Sequence, residues 1–210
     1  AFKKPKSFAG DYLKFFQYKL ADKRVLIKDP IALFSAEWLA KKFDMDVVVV
    51  IRHPLAFVAS LKVKNWKHDF NDFLNQPELM KKLPFEKEIK EYANNQHDII
   101  DQGILLWNIT HYMINEYQKH KDWIFVRHED LSLNPVDSFR DIYNKLGLNF
   151  NSRVQKKIEE STSGKKKDNL KRDSKSNIHS WERRLTKEEI ERINKGTKKI
   201  ANKFYKADYF

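Results

Sequence analysis

VVVVIRHPLAFVASLK, residues 47–62, is a run of β-branched side chains that stops on a cation. Residues 46–52 (DVVVVIR) predict a strand covered on both faces, because near-continuous apolar β-branched residues suit a parallel strand packed under helices. Pro54 fits the first turn of a following helix, where its missing N–H costs nothing. The segment therefore reads as a strand that ends on Arg52-His53, then a helix that carries Ser60 two turns in.

Outward from this stretch the pattern alternates. DYLKFFQYKL (11–20) predicts a helix, RVLIK (24–28) a short strand ending at Asp29-Pro30, and SAEWLAKKF (35–43) an amphipathic helix with Ser35 as N-cap. Residues 65–95 are charged and mixed, broken by Pro77 and Pro84, and predict short helices and mobile loops. DIIDQGILLWNITHYMINEYQK (98–119) is the longest helical candidate and apolar on most faces, hence central. WIFVRHEDL (123–131) predicts a strand leading into a loop, Pro135 opens a helix through Leu146, and Gly147 sits at its C-cap. NSRVQKKIEEST (151–162) predicts another helix, residues 163–181 a flexible basic loop, and residues 186–205 a closing helix with a Thr186/Glu189 capping box.

Strands and helices in alternation, with crossovers too long for hairpins, predict an α/β fold: a parallel sheet flanked by helices. At 210 residues, with no internal repeat or interior boundary, the expectation is one domain over 1–210. Hydrophobic residues at 41% and aromatics at 13% argue against disorder despite 33% charge. The absence of cysteine excludes disulfides and thiolate catalysis, and the seven scattered histidines form no HxxxH pair, so no metal is expected. No apolar run reaches the roughly 20 residues of a membrane span. The N-terminus has no signal-peptide pattern, which predicts a cytoplasmic protein. A net charge of +12 favours an anionic partner.

Ligands of open parallel sheets bind beyond the C-terminal strand ends. Three predicted strands end there on charge: Lys28-Asp29, Arg52-His53 and Arg127-His128-Glu129. A guanidinium at a rigid strand end offers a planar fork of donors to phosphate, and the Ser60 hydroxyl can add a bond from the side. Spacing alone equally allows Arg52 to pair with Asp29 or Glu129, and Ser60 to be a small packing residue.

The Arg-to-Ser spacing in IRHPLAFVAS resembles the 3′-phosphate segment of PAPS-dependent sulfotransferases. VLIKDPIALFSAEWLAKKF is similar to the Lys-Asp-Pro segment of their carbohydrate and tyrosylprotein branches, and WIFVRHEDLSLNPVDSFRDIYNKLGL to their Glu-Asp-Leu segment. SKSNIHSWERRLTKEEIERI resembles the stretch before their final helix. The resemblance runs from about residue 24 to 205. It implies a P-loop-NTPase-like sulfotransferase fold and transfer of a sulfuryl group from PAPS to a hydroxyl or amine acceptor, such as a carbohydrate, with PAP as product and no metal. It puts Lys28 at the oxygen bridging sulfate and phosphate, as the catalytic cation, and Arg52 and Ser60 on the 3′-phosphate. His128 takes the place of a nucleotide-side Tyr, and Lys175 and Ser176 fall in a loop that closes on the nucleotide.

The same resemblance implies an upstream strand–loop–helix for the 5′-phosphosulfate. This chain has no GxxxxGK[ST] and no Arg-Ser-Gly-Thr-like stretch, and its early glycine is Gly10 alone. The expectation is therefore either a fold incomplete at its N-terminus, as in a fragment of a longer protein, or a degenerate binding site, with the fragment favoured because the sheet would otherwise lack its central first strand. Two other functions remain open at this point. One is a basic nucleic-acid-binding module, disfavoured by the absence of a helix-turn-helix, RRM-like or OB-like signature. The other is a nucleotide or sugar kinase, disfavoured by the missing Walker lysine. The acceptor, the general base and the oligomeric state are not written in the sequence.

Overall fold

The computed structural model describes residues 24, 26–29, 32–163 and 173–206. The chain comprises two compact units, Ala1–Ala32 and Leu33–Phe210. In the first, Arg24 and Leu26 to Asp29 have no regular secondary structure, and Leu26 and Ile27 are 89% and 53% exposed. The strand expected over 24–28 is not formed among these residues, since a parallel strand needs a paired neighbour and covered faces. The helix expected over 11–20 lies outside the described residues.

The second unit is mixed α/β and mostly helical. Helix α1 (Ala36–Phe43) precedes strand β1 (Val48–Ile51) and helix α2 (Pro54–Lys64). Pro54 stands in the first turn of α2 as the sequence predicts, and Asn65 closes the helix in the left-handed region at φ 46°. Three short helices follow, α3 (Asn71–Leu74), α4 (Pro77–Met80) and α5 (Glu86–Asn94). Pro77 thus opens a helix.

The long α6 (Ile99–Tyr117) is capped by Asp98, whose carboxylate accepts from Asp101 N at 2.8 Å. Strand β2 (Ile124–Arg127) runs directly into α7 (His128–Leu133) where a loop is expected. Helices α8 (Pro135–Lys145), α9 (Ser152–Thr162), α10 (Ser174–Ile178) and α11 (Lys187–Ala201) complete the described chain. The Thr186/Glu189 capping box is formed in both directions. No helix among the described residues is long and apolar enough to cross a membrane.

β1 and β2 pair in parallel, with Val48 opposite Ile124 and Ile51 opposite Arg127. Burial along β1 alternates: Val49 and Ile51 are 7% and 4% exposed, Val48 and Val50 37% and 50%. The run that predicts cover on both faces is therefore covered on one: Val49 and Ile51 pack into the core, and Val48 and Val50 face outward.

Helix α6 is the spine. Its Leu105, Ile109 and Met113 join Val49 and Ile51 in one core cluster, while Ile100 joins Leu55, Val58 and Ile193 in a second. Complete burial of a side chain such as Val58, Ile109 or Ile193 contributes ~1.5–3 kcal/mol each. Two glycines set how closely its neighbours approach. A Cβ on Gly103 would meet the Val58 methyls of α2 at 3.0 and 3.2 Å, and one on Gly196 of α11 would meet Ile104 Cγ2 at 2.7 Å. The backbone there is helical, and the missing side chain is what the packing uses.

Candidate anion-binding site

The parallel register brings two of the three charged strand ends to one edge of the sheet. Ile51 lies opposite Arg127, so Arg52-His53 and His128-Glu129 emerge side by side. The peptide linking Arg52 to His53, where strand turns to helix, is held from both sides. Its carbonyl accepts from Trp107 Nε1 of α6 at 2.9 Å. Its N–H donates to Glu129 Oε1 at 3.0 Å.

Glu129 is 4% exposed, and its second oxygen accepts from the hydroxyl of Tyr205 at 2.9 Å. The buried carboxylate thus has hydrogen-bond donors at both oxygens, the condition for burying such a group. Tyr205 also meets the His53 ring edge-on at 4.9 Å, and the Arg127 guanidinium sits 5.8 Å from its ring centre. Burial, reinforced by the Glu129 charge and hydrogen bond, pushes the Tyr205 phenol well above its ordinary range, so it stays protonated and donates.

Arg127 is occupied differently. Its Nε and Nη2 donate to the two oxygens of Asp130 at 2.8 and 2.7 Å, a bidentate pair that neutralises the cation at the end of β2. Arg52 keeps its backbone in the clamp and its side chain half-buried. His128 lies near enough that the Arg52 charge acts on it. Burial and that charge hold the His128 imidazole below its usual value, against Glu129, so it is neutral at pH 7. Neutral, it can donate from one nitrogen and accept at the other. Ser60 is half-buried about 9 Å along α2 from Pro54 by helix rise. His53 and Pro54 are buried and close off the first turn of α2, while Arg52, Arg127, His128 and Asp130 at the sheet edge, and Ser60 further along α2, are half-exposed.

Lys175 and Ser176 lie in the first turn of α10, where a flexible loop is expected over 163–181; residues 164–172 lie outside the described chain. Asp173 caps this helix, accepting from Lys175 N at 3.1 Å and Ser176 N at 3.3 Å, and Ser176 Oγ donates back to the Asp173 carbonyl at 3.3 Å. The helix packs on α7, tied by Ser174 Oγ donating to Ser132 O at 2.8 Å. Lys175 is exposed. Lys28 lies in the first unit, exposed on a segment without the expected strand.

A cavity of about 300 Å³ opens along β2, lined among others by Ile124, Val126, Arg127, Asp130, Ile142 and Lys145. Arg52, Ser60 and His128 are not in its wall. The Arg127–Asp130 pair thus belongs both to the polar cluster and to the cavity wall.

Sequence reading sees Glu129 as charge at a strand end, without the backbone bond to His53 that the structure gives it. It leaves out Tyr205, which meets Glu129 across 76 positions with no local signal. Trp107 reads as core, and it is wholly buried, yet its indole nitrogen reaches the site backbone. Comparison with models of known protein families, with curated proteins and with solved structures finds no match.

Proposed function

We propose that this chain is a cytoplasmic PAPS-dependent sulfotransferase of the P-loop-like fold, in which Arg52 binds the 3′-phosphate of the nucleotide. The observation that carries this reading is the adjacency of β1 and β2. It sets Arg52, on a doubly anchored peptide, beside a neutral His128 at one sheet edge.

Each residue has a role set by its chemistry. Arg52 supplies charge-assisted hydrogen bonds to the phosphate, and the Ser60 hydroxyl adds a neutral one. His128 contributes a further donor without adding charge. Lys175 and Ser176 stand on the helix packed against the His128 segment, with the Lys175 ammonium exposed for long-range attraction of the nucleotide. In the transfer the sulfur–oxygen bond to the nucleotide breaks as a bond to the acceptor oxygen or nitrogen forms, through a loose, in-line transition state. The role that resemblance gives Lys28 depends on a strand end there, and the reading rests instead on Arg52, Ser60 and His128.

Thermal unfolding of the wild type in the presence of nucleotides tests this. Adenosine 3′,5′-bisphosphate is expected to raise Tm more than AMP or ATP at equal concentration, since only a ligand bound by the native state stabilises it. A larger shift with ATP and magnesium would overturn the reading in favour of a kinase-like one.

A further inference from the structure

We propose that Glu129, backed by Tyr205, is a positioning residue for the Arg52 anion site, an inference that rests on the reading above. A side chain leaves the backbone in a direction set by the peptide planes on either side of its Cα. For Arg52 the plane on the helix side is the 52–53 peptide. Both polar groups of that one plane are used, the carbonyl by Trp107 and the N–H by Glu129. Turning the plane would break two hydrogen bonds at once.

The two anchors differ in kind. Trp107 comes from the middle of α6, and its ring is wholly buried. Glu129 stands in the first turn of α7, and its carboxylate is oriented by a hydroxyl from the end of the described chain, beyond α11. The site thus draws on residues 52–53, 107, 129 and 205, and the segment after α11 becomes part of the binding apparatus. A ligand anion needs the guanidinium in one direction, and productive geometry tolerates only small angular error. Glu129 and Tyr205 touch no ligand in this account; they act through the backbone of Arg52.

Three variants test it, each read by calorimetry with adenosine 3′,5′-bisphosphate and AMP and by the backbone amide resonance of His53. Glu129→Leu keeps most of the volume and removes the acceptor. It is expected to shift the His53 amide and to weaken bisphosphate binding roughly tenfold while AMP changes little. Glu129→Gln is the rescue: its carbonyl oxygen can accept from His53 N–H while its amide donates to Tyr205 Oη, so the preference is expected to return. Tyr205→Phe keeps the ring but removes the donor from the second oxygen of Glu129, and is expected to weaken the bisphosphate by about threefold.

A folded Glu129→Leu with wild-type preference for the bisphosphate overturns the proposal. If Glu129→Leu does not fold, an unchanged affinity in Tyr205→Phe overturns it. If wild type itself shows no preference, the nucleotide reading fails and this one with it. That outcome is distinguishable, because it appears before any variant is made.

Discussion

The indole nitrogen of Trp107 donates to the carbonyl of Arg52 at 2.9 Å, joining the middle of the central helix to the end of β1 across 55 positions. Trp107→Phe keeps an aromatic ring in the core but leaves that carbonyl without the donor. The expected loss is about 1–3 kcal/mol of folding stability, the cost of a lost buried hydrogen bond together with a small void. Urea denaturation measures it, and a variant as stable as wild type would show that the bond adds nothing.

Gly103 and Gly196 should resist substitution for a packing reason. Alanine gains ~1 kcal/mol over glycine inside a helix. At Gly103 the added methyl meets both methyls of Val58, which is wholly buried, β-branched and without room to turn. Overpacking there costs ~1–3 kcal/mol, so Gly103→Ala is expected to lower stability. Gly196→Ala, with its closest approach of 2.7 Å to Ile104, should do the same. Stabilisation of either variant in urea denaturation would mean that the helices can move apart cheaply.

Acid sensitivity should come from buried histidine. His111 stacks on Trp107 at 3.9 Å, its Nδ1 lies 2.9 Å from the Trp107 carbonyl and 3.1 Å from Thr110 Oγ1, and Phe57 and Phe204 face its ring. The carbonyl can only accept, so Nδ1 carries the proton. Burial pushes the imidazole down to about 3, opposed by the Trp107 and Arg52 carbonyls.

The folded state then binds a proton less readily than the unfolded chain, whose histidine titrates near ~6.5. Stability is therefore full above about pH 6.5 and falls as pH drops toward 3, by roughly 3–5 kcal/mol at full titration. His68 and His128, also held low by burial, act in the same direction. Thermal unfolding between pH 7 and 4 should show this slope, and His111→Phe should flatten it. An equal slope in the variant would assign the acid sensitivity elsewhere.

The start of α11 should be worth more than its cap alone. Thr186 Oγ1 accepts from Glu189 N at 3.3 Å, and Glu189 Oε2 accepts from Thr186 N at 2.8 Å and from Lys62 Nζ of α2 at 2.7 Å. Thr186→Ala is expected to cost ~1 kcal/mol, an ordinary N-cap loss. Glu189→Ala breaks the cap and the partly buried ion pair together and is expected to cost more. Equal losses by chemical denaturation would show that the Lys62 pair contributes nothing.

The parts of the fold legible in the sequence are those written locally. The valine run, Pro54 and the Thr186/Glu189 pair each act within a few residues, and each stands where local chemistry puts it. Strand 24–28 reads as well as β1 does, but a strand is decided by its neighbours, and none forms among the described residues there. The open face of β1 has the same origin, since a β-branched run reports affinity for cover without saying how much cover is present. At the site, Arg52 and His128 are visible as polar side chains at strand ends. The Trp107, Glu129 and Tyr205 bonds that hold the backbone span 55 to 76 positions, and nothing near any one of them names its partner.

Calorimetric titration of adenosine 3′,5′-bisphosphate and AMP into wild type and Arg52→Ala tests the central claim most directly. A charge-assisted hydrogen bond is worth ~1.5–3 kcal/mol, so wild type should prefer the bisphosphate. Arg52→Ala should weaken it by roughly tenfold or more and leave AMP unchanged. Equal affinity of wild type for the two nucleotides, or a preference that survives Arg52→Ala, would contradict the assignment of Arg52 as the 3′-phosphate ligand.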